Sequence, residues 1–434
     1  MPVTSRGSRV GRRVAVGVVS TLVLAATGYA WAQLSRLDDG LVTADLIPPS
    51  ARLPEAQSGQ PLRVAQNILL VGLDSRTGPD GKPLPQNVLD TLHAGSGSDG
   101  GDTTDTMIVV HVPVGGGAAT AISIPRDSYV DIPRFGKHKI NSAYSRARAA
   151  ARPHLSAQGL SGPPLEVAAD AEGAKSAIAA VEGLTGLTIN HYAAVNLAGF
   201  AALSDAVGGV QVCLKEPVND SYSGAHFPAG RQTLSGAQAL AFVRQRHGLP
   251  NGDLDRIARQ QAFLSGMAQN VLSAGTLTNP AQLSALVSAL QGSVVLDQGW
   301  NILSFAQQLH GLSSGSLGFV TIPVQSLSLS TPSDGDAVKV DPAQVKAFVQ
   351  EQVGSVASSA AGGGTENSTE NGTENGTENG TVNGTGNGTG NGRLTTPPGR
   401  TTGVRPIAMT ESAAPPASGT PQQPLTSNAA DCVN

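Results

Sequence analysis

Apolar residues along this chain fall into three regimes. From Val14 to Trp31 they form a continuous uncharged run, from Val64 to about Val353 they come as short runs and helical stripes, and after Ser355 they thin out. In the middle regime, compact apolar runs bounded by turn residues predict strands at Asn67–Gly72, Thr106–Val112, Ala119–Ile124, Val210–Leu214, the end of Ala239–Arg246, and Gly318–Pro323. Spacing of i, i+3, i+4 predicts helices at Ala171–Leu184, Leu197–Val207, Leu234–Leu240, Leu254–Leu272, Asn279–Leu290 and Asp341–Gln352. Two of these open on Asn279-Pro280 and Asp341-Pro342, a capping side chain followed by proline in the first turn. Such a mixture predicts an α/β fold, a three-layer α/β/α domain with helices on both faces of a central mixed sheet.

The flanks carry other signals. The run over 14–31, about 18 residues, just suffices to cross a bilayer as one transmembrane helix. Before it, residues 1–13 hold Arg6, Arg9, Arg12 and Arg13 and no acid, so the positive-inside rule puts them in the cytoplasm and the rest outside, in a single pass. Ala30-Trp31-Ala32 loosely resembles a signal cleavage site, but Trp31 suits an interfacial anchor and the run is long for a signal, which favours a retained anchor. Residues 32–63, with Pro48, Pro49, Pro54 and Pro61, read as an extracellular stalk, and 64–354 as the folded domain. A repeated Asn-Gly-Thr unit marks 355–400 as a flexible linker, and 401–434 as a disordered Pro/Ser/Thr-rich tail containing Cys432.

Composition sharpens this picture. Of 434 residues only 14% are charged, against about 25% in ordinary soluble domains, because the membrane run and the linker dilute the core. A net charge of −4 excludes a nucleic-acid coat, so no nucleic-acid partner is expected. Arginine supplies 21 of the 28 basic residues, a bias that either a GC-rich genome or planar phosphate recognition produces. The two cysteines, Cys213 and Cys432, are too far apart for a redox or zinc motif. Either they pair and staple the tail to the body, or Cys213 is a buried apolar residue and Cys432 a free thiol.

Where the arginines sit is informative. Five segments place charge at the ends of apolar strands, where an α/β sheet presents its ligand site. Asn67-Ile-Leu-Leu-Val-Gly-Leu-Asp-Ser-Arg ends on Asp74 and Arg76, and Asp105 precedes the strand in Asp102-Thr-Thr-Asp-Thr-Met-Ile-Val-Val. Ser123-Ile-Pro-Arg-Asp-Ser-Tyr-Val contributes Arg126 and Asp127, followed by Lys139-Ile-Asn-Ser-Ala-Tyr. On an extended strand Arg244 and Arg246 would share a face, and Arg256, Arg259 and Gln260 share a helix face at i, i+3, i+4. Forked donors beside Asp74, Asp105 and Asp253 suit a pyrophosphate bridged by a divalent ion. Each segment alone is equally a solvated ion-pair surface or a turn, and His247 is either a general base or an ordinary surface histidine, the latter favoured.

In this order the segments resemble the LytR-CpsA-Psr family of bacterial cell-envelope proteins, over about Ala65 to Leu272. The run Phe242-Val-Arg-Gln-Arg-His-Gly-Leu-Pro-Asn-Gly-Asp-Leu-Asp-Arg, with Cys213 and the terminal Cys432, is similar to the actinobacterial branch. The resemblance implies a membrane-anchored phosphotransferase that moves a glycopolymer from a polyprenyl-pyrophosphate carrier to a peptidoglycan acceptor, forming a phosphodiester. It also implies a cell-membrane location, with the N-terminus cytoplasmic and the catalytic domain extracellular. By the same resemblance Mg²⁺ (or Mn²⁺) is held by Asp74 and Asp105, and Arg126, Arg244, Arg246 and Arg256 contact the pyrophosphate. Asp253, Gln260 and Lys139 match further positions of that site. Many members carry Arg two residues before the second metal aspartate; Thr103 stands here, which removes one phosphate contact or leaves it to Arg76.

The expected chemistry follows. A sugar hydroxyl attacks phosphorus, arginines stabilise the leaving polyprenyl phosphate, and Asp253, Asp127 or Asp255 takes the proton, with Asp253 favoured. Leu197–Val210 and Leu234–Phe242 either line a groove for the lipid or simply pack the core. Competing readings are a lipid pyrophosphatase, with water as acceptor, and a non-catalytic lipid-binding envelope scaffold.

Overall fold

The computed structural model describes residues 41–53, 64–97, 101–115, 118–245, 247–250, 252–272, 280–302, 305, 317–361 and 432–434. The expected membrane helix at 14–31, Arg246, the expected cap Asn279, the linker and most of the tail lie outside them. Among the described residues no helix is long and apolar enough to cross a membrane.

In chain order the strands are β1 Val42–Ala44, β2 Gln66–Leu73, β3 Thr104–Val112, β4 Ala119–Ser123, β5 Ser128–Ile132, β6 Gly136–Lys139, β7 His191–Asn196, β8 Val210–Leu214, β9 Val218–Asp220, β10 Ala225–Phe227, β11 Gly230–Leu234, β12 Val294–Asp297, β13 Leu317–Thr321, β14 Ser326–Thr331 and β15 Gly335–Lys339. The helices are α1 Gln86–Thr91, α2 Ser142–Ala157, α3 Pro163–Thr185, α4 Leu197–Ala206, α5 Gly236–Arg244, α6 Asp253–Leu272, α7 Pro280–Gln291 and α8 Pro342–Ala361. One sheet of seven strands, ordered β1-β12-β7-β2-β3-β4-β13, forms the centre. It is mixed: β2 runs parallel to β7 and antiparallel to β3. A second sheet, β14-β15-β5-β6, and two ribbons, β8/β11 and β9/β10, complete it.

Period-two alternation decides the faces of the sheet. Leu69, Val71 and Leu73 of β2 join one core cluster with Ala177, Ile178 and Val181 of α3 and Val345 and Val349 of α8. Ile68 and Leu70 point the other way, where Leu264 of α6 packs with Ile108, Ala121 and Phe319. A further cluster joins α4, α5 and α6 to the ribbons through Phe242, Phe263, Val210 and Val212. Fully burying each such side chain contributes about 1.5–3 kcal/mol.

Four expectations change. The strand expected at the end of Ala239–Arg246 is instead the second half of α5. Ala239 to Val243 are all buried, and a short helix enclosed on every side gives the same unbroken apolar run as a buried strand. Arg244 therefore closes a helix, and only at Gln245, with ψ of 135°, does the chain extend.

Second, the stalk reading fails for 41–53. There β1 pairs with β12, Leu46, Ile47 and Ala51 are buried in the main core, and Pro48 accepts from the Ala51 amide in a turn. Prolines that signal a spacer in sequence here shape a turn against the sheet.

Third, α1, α2 and the strands β5, β6, β7, β9, β10, β11, β12, β14 and β15 go unpredicted, being short, polar or Ala/Arg-rich. Fourth, the domain runs past 354, since α8 continues to Ala361. The expected cap on α8 is present, with Asp341 Oδ1 accepting from the Ala343 amide at 2.9 Å.

Cys213 and Cys432 form a disulfide, which resolves the open alternative. Around it, Val433 adds a parallel bridge to Leu214, donating to Cys213 O and accepting from the Lys215 amide, both at 2.9 Å.

Candidate active site

A β-bulge builds the centre of the site. Leu73 pairs with Thr104 and Gly72 with Thr106, so Asp105 is the extra residue on β3, and bulges of this kind re-aim a side chain. Gly72 leaves room for the bulge, since a Cβ there would press on the Thr106 Cβ at 3.0 Å. Just beyond, the Asp74 amide donates to Thr103 O at 2.9 Å, which fixes the end of β2 beside the start of β3. Asp74 and Asp105 thereby line one cavity of about 460 Å³ together with Arg244, Arg256 and Gln260.

Each carboxylate has its own guanidinium. Arg126 Nη1 donates to Asp105 Oδ1 at 2.5 Å, and Thr103 Oγ1 donates to the same oxygen at 3.2 Å. Behind it, Asp127 stands between Arg126 Nε at 3.6 Å and Lys139 Nζ at 3.5 Å. Arg244 Nη2 lies 3.9 Å from Asp74 Oδ1, and its Nη1 donates to His93 O at 3.4 Å. Arg256 is paired with Asp253 on the same helix.

Two arginines are placed differently from the expectation. Arg76 is buried and donates from Nε and Nη2 to Ala94 O at 3.1 and 3.0 Å and from Nη1 to Asp74 O at 2.9 Å. A fork committed this way holds Asp74 in place rather than standing in for an arginine at Thr103. Arg259 does not share the cavity face with Arg256 and Gln260. It is 1% exposed, lies 5.2 Å over the Phe242 ring, and donates to Gln245 Oε1 and Asn434 O. Burial pushes its guanidinium down to about 10, opposed by Asp255 and Asp220.

Away from the charges the cavity is apolar, walled by Leu70, Ile108, Phe200, Leu240, Leu264 and Met267. Both stretches expected to line a groove contribute, through Leu197, Phe200, Leu203 and Leu240. At the polar end Asp74 Oδ1 is buried and accepts no hydrogen bond, although the Arg76 guanidinium is 2.8 Å away. Among the described residues no three His, Cys, Asp or Glu side chains converge as a metal cage. Two carboxylates facing a cavity are oxygen donors of the kind that a hard divalent ion takes; the residues fit such an ion.

Residues 51–352 match the LytR_cpsA_psr family. The chain belongs to the LytR-CpsA-Psr family. It is 46% identical over 343 residues to the cell wall biosynthesis protein LcpA of Corynebacterium glutamicum, covering 79% of this chain and 65% of that one. It is 33% identical over 223 residues to the polyisoprenyl-teichoic acid–peptidoglycan teichoic acid transferase TagU of Enterococcus faecalis, covering 51% of this chain and 59% of that one. The chain thus spans under two thirds of the length of both relatives. A crystal structure of B. subtilis TagV aligns with a TM-score of 0.47 at 22% identity, over 67% of this chain and 98% of that one.

Sequence reasoning missed the supports of the site in this LytR-CpsA-Psr protein. Arg148 of α2 binds Asp102 at 2.9 Å, Glu166 at 2.6 Å and Asp170 at 2.5 Å, anchoring the segment that leads into Asp105. Burial raises the Asp170 carboxyl, and Arg148 opposes the rise. Asn196 caps α4, accepting from the Gly199 amide at 2.8 Å, and donates to Thr77 O at 2.9 Å. An Asn before an apolar helical run was the available signal for that cap; the Arg148 contacts, spread from Asp102 to Asp170, gave none.

Proposed function

We propose that this protein transfers a glycopolymer from a polyprenyl-pyrophosphate carrier to peptidoglycan through a phosphodiester link. One observation carries the reading: an apolar cavity of about 460 Å³ carries Asp74, Asp105, Arg244 and Arg256 on its wall. Such a site suits a molecule with a hydrocarbon tail and a pyrophosphate head. The relatives named for cell wall biosynthesis and for teichoic acid transfer agree with it. The apolar run over 14–31 would anchor the chain in the membrane that holds the lipid, with the catalytic domain outside.

In this mechanism the acceptor hydroxyl forms a bond to the sugar-proximal phosphorus, and the bridging P–O bond to polyprenyl phosphate breaks. Arg244 and Arg256 stabilise the charge that develops on the phosphoryl oxygens and the leaving phosphate, in a cavity whose apolar walls limit water. Arg126 and Thr103 orient Asp105, while Arg76 orients Asp74. We assign the hydroxyl proton to Asp253, which stands behind the cavity wall, paired with the cavity residue Arg256. Mg²⁺ or Mn²⁺, held by Asp74 and Asp105, supplies neutralisation of the non-bridging oxygens when bound.

The test is to incubate the full chain in detergent with a prenyl-pyrophosphoryl saccharide, a peptidoglycan acceptor and Mg²⁺. Saccharide covalently attached to the acceptor through phosphate is the expected product. Prenyl phosphate with free sugar phosphate would make the protein a pyrophosphatase, and binding without turnover would make it a scaffold.

A further inference from the structure

At the mouth of the same cavity stands an aromatic residue that the phosphoryl chemistry does not use. Tyr222 is 78% exposed, the most exposed large hydrophobic side chain among the described residues, in a chain with only 3% aromatic residues. Exposure alone carries nothing, since single apolar side chains on a surface are ordinary. The loop that presents Tyr222, however, is built rather than loose. Asp220, 3% exposed, accepts from the Tyr222 amide at 3.0 Å and the Ser223 hydroxyl at 2.8 Å. Gly224 has φ of +74°, and a Cβ there would lie 3.0 Å from the His93 ring, so the loop closes directly on His93. The His93 carbonyl is in turn the one that accepts from Arg244.

The ring itself is oriented. Tyr222 and His247 lie with centroids 4.3 Å apart at an interplanar angle of 33°, and His247 Nδ1 is 3.5 Å from Asp220 Oδ1. Both rings line the cavity that contains Asp74 and Arg244. An amphipathic platform therefore stands at the mouth, with a π-face, a phenol hydroxyl and an imidazole, close to a carboxylate.

We propose that Tyr222, backed by His247, is a sugar-stacking subsite: a pyranose ring lays its C–H face on the phenol while its hydroxyls meet the polar edge. Tyrosine offers large, rigid, amphipathic contact area at low entropic cost. A prenyl chain would take the apolar interior instead, lined by Phe200, Leu264 and Met267. The inference rests on the pyrophosphate-saccharide reading above, and the ring is either the donor's saccharide or the glycan of the acceptor.

Binding to the full chain in detergent micelles separates these cases, with three probes: farnesyl pyrophosphate, farnesyl-pyrophosphoryl N-acetylglucosamine, and a tetrasaccharide released from peptidoglycan. Tyr222→Ala is expected to weaken at least one sugar-bearing probe about fivefold or more, in the range of one lost aromatic contact. Tyr222→Phe and Tyr222→Trp retain that binding, and farnesyl pyrophosphate binds all variants alike. A loss confined to the farnesyl-linked sugar places the donor on Tyr222, and a loss confined to the tetrasaccharide places the acceptor there. Unchanged binding of both sugar probes in Tyr222→Ala, or an equal loss for farnesyl pyrophosphate, overturns the subsite. So does a wild-type chain that binds neither sugar-bearing probe. If the wild type binds the tetrasaccharide through Tyr222 but not farnesyl pyrophosphate, the subsite stands and the pyrophosphate reading fails.

Discussion

Arg126 donates to Asp105 at 2.5 Å, joining the turn after β4 to the bulged residue of β3. Both side chains keep some exposure, 16% and 25%; Asp105 lines the cavity, and Arg126 holds it from behind the cavity wall. Arg126→Ala should lower the transfer rate about 100-fold, the scale of losing one preorganised charge partner, with melting temperature nearly unchanged. Arg126→Lys should recover part of it. Initial rates of saccharide transfer check both.

Gly72→Val tests the bulge. The new side chain meets Thr106 across the ladder, and overpacking of this kind costs about 1–3 kcal/mol. Because Thr106 adjoins Asp105, the loss of turnover should exceed the loss of stability. Denaturant midpoints and rates, compared at a temperature where the variant is folded, give the two effects separately.

The Cys213–Cys432 bond closes a separation of 219 residues. The chain-entropy relation puts its stabilisation at up to about 5 kcal/mol, as an upper figure. Cys432→Ser should therefore lower the melting temperature markedly, and dithiothreitol should do the same to the wild type but not to the variant. Equal melting curves with and without reductant for the wild type would refute the assignment.

His111 gives a pH signature. It is buried, with Nδ1 2.8 Å from Asn67 Oδ1, and burial holds its pKa below the ordinary 6.5. A folded-state pKa below the unfolded value means stability that is full above pH 6.5 and lost as pH falls through the folded-state value. The melting temperature should drop between pH 7.5 and 5, and His111→Gln should flatten that drop. Calorimetric scans across this interval measure it.

How much of the site the sequence showed depended on distance along the chain. That Asp74 and Asp105 would meet at one cavity was legible because each sits at the end of a short apolar run, and strand ends in an α/β sheet carry ligands. Arg244 was found for the wrong local reason, since a buried helix and a buried strand write the same apolar string. Arg76 and Arg259 were counted among phosphate-binding residues or placed on their face, because composition does not reveal whether a guanidinium fork is already taken by a carbonyl.

The sequence by itself determined the family, the mixed α/β character and the strand-end charges, all of which rest on motifs and periodicities a few residues long. Tertiary structure alone decided that 41–53 joins the sheet, that Cys213 pairs with Cys432, and that Asp105 is the bulged residue. It also set Arg148 as the anchor behind Asp105 and Tyr222 at the mouth of the cavity. These depend on pairings between distant segments, such as β1 with β12. Their free energy comes from burial and register across the sheet, which no local pattern encodes.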